Sequence, residues 1–213
     1  MREFRFFEID LGETNLHLCA YDEFEPTDFT EYLTEEENAR MLSFGSISRR
    51  REFVAARILR HRIFGFQHIH YDKNGAPYIK GTGFISISHS RNMVGLAINP
   101  NYKIGLDLES PRDNVLDIMP KFISKDEPLF FDTANPSVVT KIWSAKEALY
   151  KLAGRKKIHF KTELLLSVDK NGDWLGRIVN PENDILVKLN IFEHEGTVIS
   201  INKAPVVEES RNT

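Results

Sequence analysis

The chain has 213 residues, enough for one large domain or two small ones with a real core. Hydrophobic residues make up 41% and charged residues 28%, as in an ordinary globular protein, and a formal net charge of −3 offers no electrostatic case for a nucleic-acid partner. A single cysteine, Cys19, excludes an intrachain disulfide and a cysteine-based metal cage, and no stretch approaches the roughly 18 apolar residues of a membrane span.

The opening MREFRFFEID threads charges through its apolar residues, unlike a signal peptide, so a cytoplasmic protein is expected. Cys19 lies in an apolar run, residues 16–20, and reads as a small buried hydrophobe rather than a nucleophile. The fifteen Phe imply a well-filled core or an apolar binding surface. Thr34 with Glu37 matches the capping box and predicts a short helix. A second helix is predicted over residues 46–64, SISRRREFVAARILRHRIF, where Phe53, Ala56, Leu59 (or Arg60) and Ile63 recur at helical spacing and Gly65 sits at the stop. Its basic residues, Arg49, Arg50, Arg51, Arg57, Arg60 and Arg62, are either a solvated face with paired arginines or an anion site.

The middle of the chain is β-like. DKNGAP turns the chain, FISISHS and MVGLAIN read as strands, and the turn Asn99-Pro100-Asn101 predicts that YKIGLDLE returns as a hairpin partner. Alternation then places Leu106 and Leu108 on one face and Asp107 and Glu109 together on the other. Adjacent acids repel each other and are depleted from strands, so the pair is either an exposed edge or a site for a cation.

A long helix follows, with Asn135 as N-cap, Pro136 as first residue and Gly154 as stop. Val138, Ile142, Ala145, Leu149 and Leu152 form its apolar stripe, while Trp143, Glu147, Tyr150 and Lys151 face nearly the opposite way. An aromatic face turned from the core stripe must be covered by another subdomain or by a ligand. The remainder reads as two hairpins, LLLSVDKNGDWLGRIV and ILVKLNIFEHEGTVISIN, and the tail VVEESRNT as frayed. DKNG occurs at 72–75 and again at 169–172, each time after a long helix, which suggests two similar α+β halves.

Three acids, Asp107, Glu109 and Glu147, converging near the join of two halves call for a cation. With oxygen ligands only, it should be hard, Mg²⁺ or Mn²⁺, and Mg²⁺ commonly also takes phosphate oxygens. Lys146, Lys151, Arg155, Lys156 and Lys157 are the nearby cations for such a phosphate.

These residues resemble the signature of the 4′-phosphopantetheinyl transferases of the Sfp (surfactin synthetase-activating) type: Gly-x-Asp-x-Glu, then Trp-x-x-Lys-Glu-x-x-x-Lys. The chain supplies Gly105, Asp107, Glu109, Trp143, Lys146, Glu147 and Lys151. FISISHS resembles the family's Phe-Asn-x-Ser-His-Ser strand, EEENARMLSF and RRREFVAARILR its N-terminal helices, and KFISKDE the stretch after the metal strand. The similarity runs from about residue 30 to 175.

The resemblance implies an α+β fold, a pseudo-twofold pair of subdomains, each a small antiparallel sheet on a long helix. The division expected is residues 1–104, residues 105–205 and a tail at 206–213. It implies Mg²⁺-dependent transfer of 4′-phosphopantetheine from coenzyme A to a serine of an apo acyl or peptidyl carrier protein, releasing adenosine 3′,5′-bisphosphate, by a cytoplasmic monomer. Asp107, Glu109 and Glu147 would ligate the metal, with Mn²⁺ an alternative. Glu147 is also the candidate base for the serine, and Lys151 would contact the phosphates. Ser88, His89 and Arg51 would hold the adenosine 3′-phosphate. Ala76 stands where the family often has the lysine of Gly-Lys-Pro, with Lys73 and Lys80 the candidates to replace it, and Ser86 stands where an asparagine is usual.

Two rival readings carry less. A metal-dependent nuclease would want Glu-x-Lys on the strand, whereas Glu109 is followed by Ser110-Pro111, and a non-catalytic carrier-binding module would not need all three acids and Lys151. The carrier is expected to dock on the apolar segment VLDIMPKFISKDEPLFF, at Ile118, Met119, Phe122, Ile123 and Phe130, guided by Lys121 and Lys125.

Overall fold

The computed structural model describes residues 3–112, 114–154, 157–180 and 183–210. Strands β1 (Phe4–Asp10) and β2 (Asn15–Tyr21) form an opening hairpin. Helix α1 (Glu35–Ser43) begins at the expected capping box: Thr34 Oγ1 accepts from the Glu37 amide, and Glu37 Oε2 accepts from the Thr34 amide, both at 3.2 Å. The other oxygen of Glu37 accepts from Arg60 at 2.7 Å and Arg57 at 3.2 Å on α2 (Ile47–Phe64). One carboxylate thus caps a helix and pins the next. Arg57 and Arg60 are buried, so the basic face of α2 is partly internal rather than solvated.

A two-stranded ribbon, β3 (His70–Tyr71) and β4 (Pro77–Tyr78), carries the first DKNG turn. Then β5 (Phe84–Ser90) and β6 (Met93–Asn99) complete a four-stranded antiparallel sheet in the order β1-β2-β6-β5. The next strand, β7 (Leu106–Glu109), does not return along β6 as the turn had suggested. Both edges of β6 are already occupied, by β2 and β5. The Asn99 side chain accepts from the amides of Asn101 and Tyr102 and folds the chain away, and β7 pairs instead with a strand near the C-terminus.

A short helix α3 (Val115–Ile118) and two 3₁₀ turns lead to α4 (Pro136–Ala153), capped by the Asn135 side chain and stopped by Gly154 at φ 61°. Strands β8 (Leu164–Val168), β9 (Trp174–Ile178), β10 (Asn183–His194) and β11 (Thr197–Asn202) follow, in a sheet ordered β7-β11-β10-β9-β8. The tail is not frayed over its first part, because β12 (Val207–Ser210) pairs with β10.

The fold is therefore mixed α and β, with antiparallel sheets and several helices. Three cores order the layers. Helix α2 covers one face of the first sheet through Phe53, Ile58, Leu59, Val94 and Leu96. The opposite face, with Leu16, Leu18 and Met93, packs on Leu106, Leu108, Ile199 and Ile201 of the second sheet. Helix α4 covers the far face of that sheet through Ile142, Leu149, Leu164 and Val187. Each sheet carries one 18-residue helix, but the shared middle core straddles residue 104, where the sequence suggested a division. The two DKNG turns have the same bonding: Asp72 and Asp169 each accept, through Oδ1, the amides two and four residues on. Cys19 is buried, and burial pushes its thiol up to about 12, so it is inert.

Candidate active site

The two sheets meet along β5 and β7 through side chains rather than a backbone ladder. Ser86 Oγ accepts from the Leu106 amide at 2.9 Å, Ser88 Oγ from the Leu108 amide at 3.1 Å, and Ser90 Oγ lies 2.8 Å from Ser110 Oγ. Serines at alternate positions point to one face of β5, so they bond alternate positions of β7 in register. Ser86 is thus a seam residue.

Above this seam lies α4. A Cβ at Gly105 would collide with the Ala148 carbonyl oxygen of α4, so the glycine of Gly-x-Asp-x-Glu is where helix and strand touch. The close approach brings Lys151 to three acceptors: Leu106 O at 2.6 Å, Ser88 Oγ at 3.0 Å and Asp107 Oδ1 at 3.1 Å. An ammonium has three protons, and all three are engaged.

Asp107 does not sit on a wet face. It is 5% exposed, and its Oδ2 is buried with no hydrogen-bond partner among the described residues. Burial holds its carboxyl above the usual range, opposed chiefly by Lys151. Burial, then the Asp107 charge, raises Glu109, while the Trp143 indole opposes the rise with a hydrogen bond from Nε1 to Oε1 of 2.7 Å. Glu147 is pushed up to about 7 by burial, then by Asp107, with Lys151 opposing and Glu109 adding to the rise. The three acids named from the sequence are therefore electrostatic neighbours around one joint. Among the described residues, no three His, Cys, Asp or Glu side chains form a finished cation cage. The donor set nonetheless suits a hard cation: three oxygen ligands, mutual repulsion, and an orphaned buried oxygen on Asp107.

Beside the acids runs a cleft of about 600 Å³, lined by residues of α1, α2, the β3–β4 ribbon, β5 and α4. Of the residues expected at the adenosine phosphate, His89 lines it, with Nδ1 3.4 Å from Glu52. Ser88 and Arg51 do not. Ser88 is spent on the seam, and Arg51 Nε donates to Phe24 O at 2.7 Å, with Nη1 3.6 Å from Glu23. The arginines that line the cleft are Arg40, Arg49 and Arg57. Arg57 is bound to Glu37, whereas Arg40 lies over Phe53 and Tyr71, and Arg49 over Phe44. Ala76 lines the cleft as the motif suggested, but Lys73 and Lys80 do not. Asn74 Nδ2 reaches Gly154 O at 2.7 Å, tying the ribbon to the end of α4.

Lys146 is not a phosphate contact. It is fully buried, paired with Glu127 at 2.7 Å, and donates to Phe122 O and Phe160 O. Lys157 is exposed; Arg155 and Lys156 lie outside the described residues. Sequence reasoning missed Arg40, the role of Glu127 and the partner of Trp143, and it offered Arg49 only as one of six basic residues of α2. Glu127 lies within KFISKDE, beside Lys125 and Asp126, and nothing local marks it as the buried partner of Lys146.

Residues 103–187 match the family model of the 4′-phosphopantetheinyl transferase superfamily. This match spans β7, α4 and the strands up to β10, and so contains Asp107, Glu109, Glu147 and Lys151. The likeness of that stretch to the superfamily supports a transferase. The match does not reach α1, α2 or β5, which form much of the cleft. No curated protein sequence matches the chain. Among the described residues, no helix is long and apolar enough to cross a membrane.

Proposed function

We propose that the protein transfers the 4′-phosphopantetheine arm of coenzyme A to a serine of an apo acyl or peptidyl carrier protein. The observation that supports this most is the meeting of Gly-x-Asp-x-Glu and Trp-x-x-Lys-Glu-x-x-x-Lys at one seam beside an arginine-lined cleft. In this reading the chain is an Sfp-type enzyme, a cytoplasmic monomer built of two related halves that divide near residue 104, with a tail from 206.

The serine oxygen forms a bond to the phosphorus bearing the pantetheine, and the bond from that phosphorus to the bridging oxygen of the pyrophosphate breaks. Adenosine 3′,5′-bisphosphate leaves. A serine hydroxyl is a weak nucleophile, and Glu147, a carboxylate at the seam, takes its proton directly or through water. Lys151 sits at the cleft wall and offers its charge to the phosphates. Asp107, Glu109 and Glu147 would hold Mg²⁺ or Mn²⁺, which supplies charge neutralisation for the leaving pyrophosphate. In the cleft wall, Arg40 and Arg49 have no carboxylate partner among the described residues, and with His89 they suit the 3′-phosphate. These arginines replace Arg51 in that role.

Mass spectrometry of apo-carriers incubated with the protein, coenzyme A and Mg²⁺ tests the reading. A gain of about 340 Da on one serine, the mass of the arm, is expected. Carriers of fatty acid, polyketide and peptide assembly that all remain unmodified would remove it.

A further inference from the structure

Trp143 has an unusual setting. It lies on α4 one turn before Glu147, half-buried, and its indole N–H is given to Glu109 Oε1 at 2.7 Å. Its ring is held from two sides: Phe160 stacks on it at 5.4 Å with planes 24° apart, and Phe122 meets it edge-on at 4.9 Å. Those two phenylalanines come from separate segments, yet their backbone carbonyls both accept from one ammonium, that of Lys146, at 2.6 and 3.0 Å.

Lys146 is itself anchored. Glu127 Oε1 lies 2.7 Å from its Nζ and also accepts the Leu166 amide at 3.0 Å, while Oε2 accepts the Ser124 amide at 2.6 Å. A buried charge pair costs desolvation and is a poor source of net stability, but breaking one partner leaves an uncompensated charge. Its effect here is geometric: it fixes the two backbone segments whose rings clamp the indole.

We propose that Trp143 is a positioning residue for Glu109, its N–H fixing the carboxylate that would ligate the divalent cation, with the Lys146–Glu127 pair fixing the indole through Phe122 and Phe160. The proposal rests on the transferase reading for the identity of that cation. Trp143 touches no substrate in it. Its role is to spare Glu109 the ordering of a three-torsion side chain when the cation arrives, a cost that otherwise falls on binding.

The test uses the full chain and Mg²⁺ as the probe, followed by the rise of Tm with Mg²⁺ concentration at fixed coenzyme A. Trp143→Phe keeps an aromatic ring between the two phenylalanines and removes the N–H. Its Mg²⁺ midpoint is expected to rise roughly 10- to 100-fold, the usual loss for an outer partner of a metal ligand, with the metal-free Tm little changed. A wild-type midpoint in that variant, or a lowered metal-free Tm as its only defect, overturns the proposal. A second measurement does not depend on that variant folding. In Trp174→Phe, Trp143 is the sole tryptophan, and its emission should change with Mg²⁺ along the same curve as Tm; emission indifferent to Mg²⁺ that raises Tm overturns it too. If the wild-type protein does not respond to Mg²⁺ at all, both the cation site and this proposal fall. If the Mg²⁺ effects appear but no carrier is modified, the positioning role stands and the transfer reading alone is lost.

Discussion

Ser88 and Asp107 face each other across the seam between the two sheets, with Ser88 Oγ donating to Asp107 Oδ1 at 3.1 Å while accepting from the Leu108 amide and from Lys151. One hydroxyl therefore serves a carboxylate, a strand and an ammonium. Ser88→Ala should leave the buried Leu108 amide without an acceptor and destabilise the fold by about 1–3 kcal/mol. Chemical denaturation measures this, and KM for coenzyme A should stay near wild type. A raised KM with unchanged stability would return Ser88 to the nucleotide.

Glu147 gives the metal-free protein a pH signature. Its carboxyl lies at about 7 in the folded state against 4.5 ordinarily, so between those values the folded protein holds the proton more tightly than the unfolded chain. Stability then falls as pH rises through that window, by at most about 3 kcal/mol. Asp107 and Glu109 raise the carboxyl and Lys151 opposes them, so added Mg²⁺ should flatten the fall. Glu147→Gln should show a flatter Tm-versus-pH curve without metal and no transfer. A variant with the wild-type curve would mean that Glu147 titrates normally.

The cleft arginines separate from Arg51 by substrate. Arg49→Ala should raise KM for coenzyme A roughly 10- to 150-fold, the loss of a charge-assisted bond, with a smaller effect on dephospho-coenzyme A, which lacks the 3′-phosphate. Arg51→Ala removes the bond to Phe24 O and should lower Tm while treating both substrates alike. The opposite pattern would put Arg51 back at the phosphate.

Gly105 admits no side chain, because the Ala148 carbonyl of α4 occupies the place of a Cβ and Leu152 Cγ lies 2.8 Å from it. Gly105→Ala should cost about 1–3 kcal/mol, or more if α4 cannot shift. Since that shift would carry Glu147 and Lys151 from the seam, kcat should fall as well. Unchanged stability and turnover would show that the helix has slack.

The carrier-docking segment divides by burial. Phe122 and Ile123 are buried at 1% and 7% exposure, whereas Leu129 and Phe130 are exposed at 80% and 46%. Phe122→Ala should therefore lose about 3–5 kcal/mol of stability, as core aromatics do. Leu129→Ser with Phe130→Ser should raise KM for the carrier and leave KM for coenzyme A unchanged. No change in either constant would place docking elsewhere.

Features that depend on neighbours within a few residues could be read from the order of amino acids alone. The capping box of α1, the Asn135 and Gly154 ends of α4, the paired DKNG turns and the shared face of Asp107 and Glu109 all follow from local periodicity and backbone chemistry. The acids and Lys151 were legible as one constellation because their spacing is a motif. Tertiary structure decided which cations meet which partners. Arg49 and Arg51 are two residues apart on one helix, yet one lines the cleft and the other holds a loop, since helical geometry sends them in different directions. Lys146 and Lys151 share a motif, but only packing shows that Glu127 buries the first while Asp107 and a cleft wall receive the second. Strand β7 misled for a similar reason. A turn predicts a hairpin only if the preceding strand has a free edge, and the edge of β6 was taken by β2, about a third of the chain away.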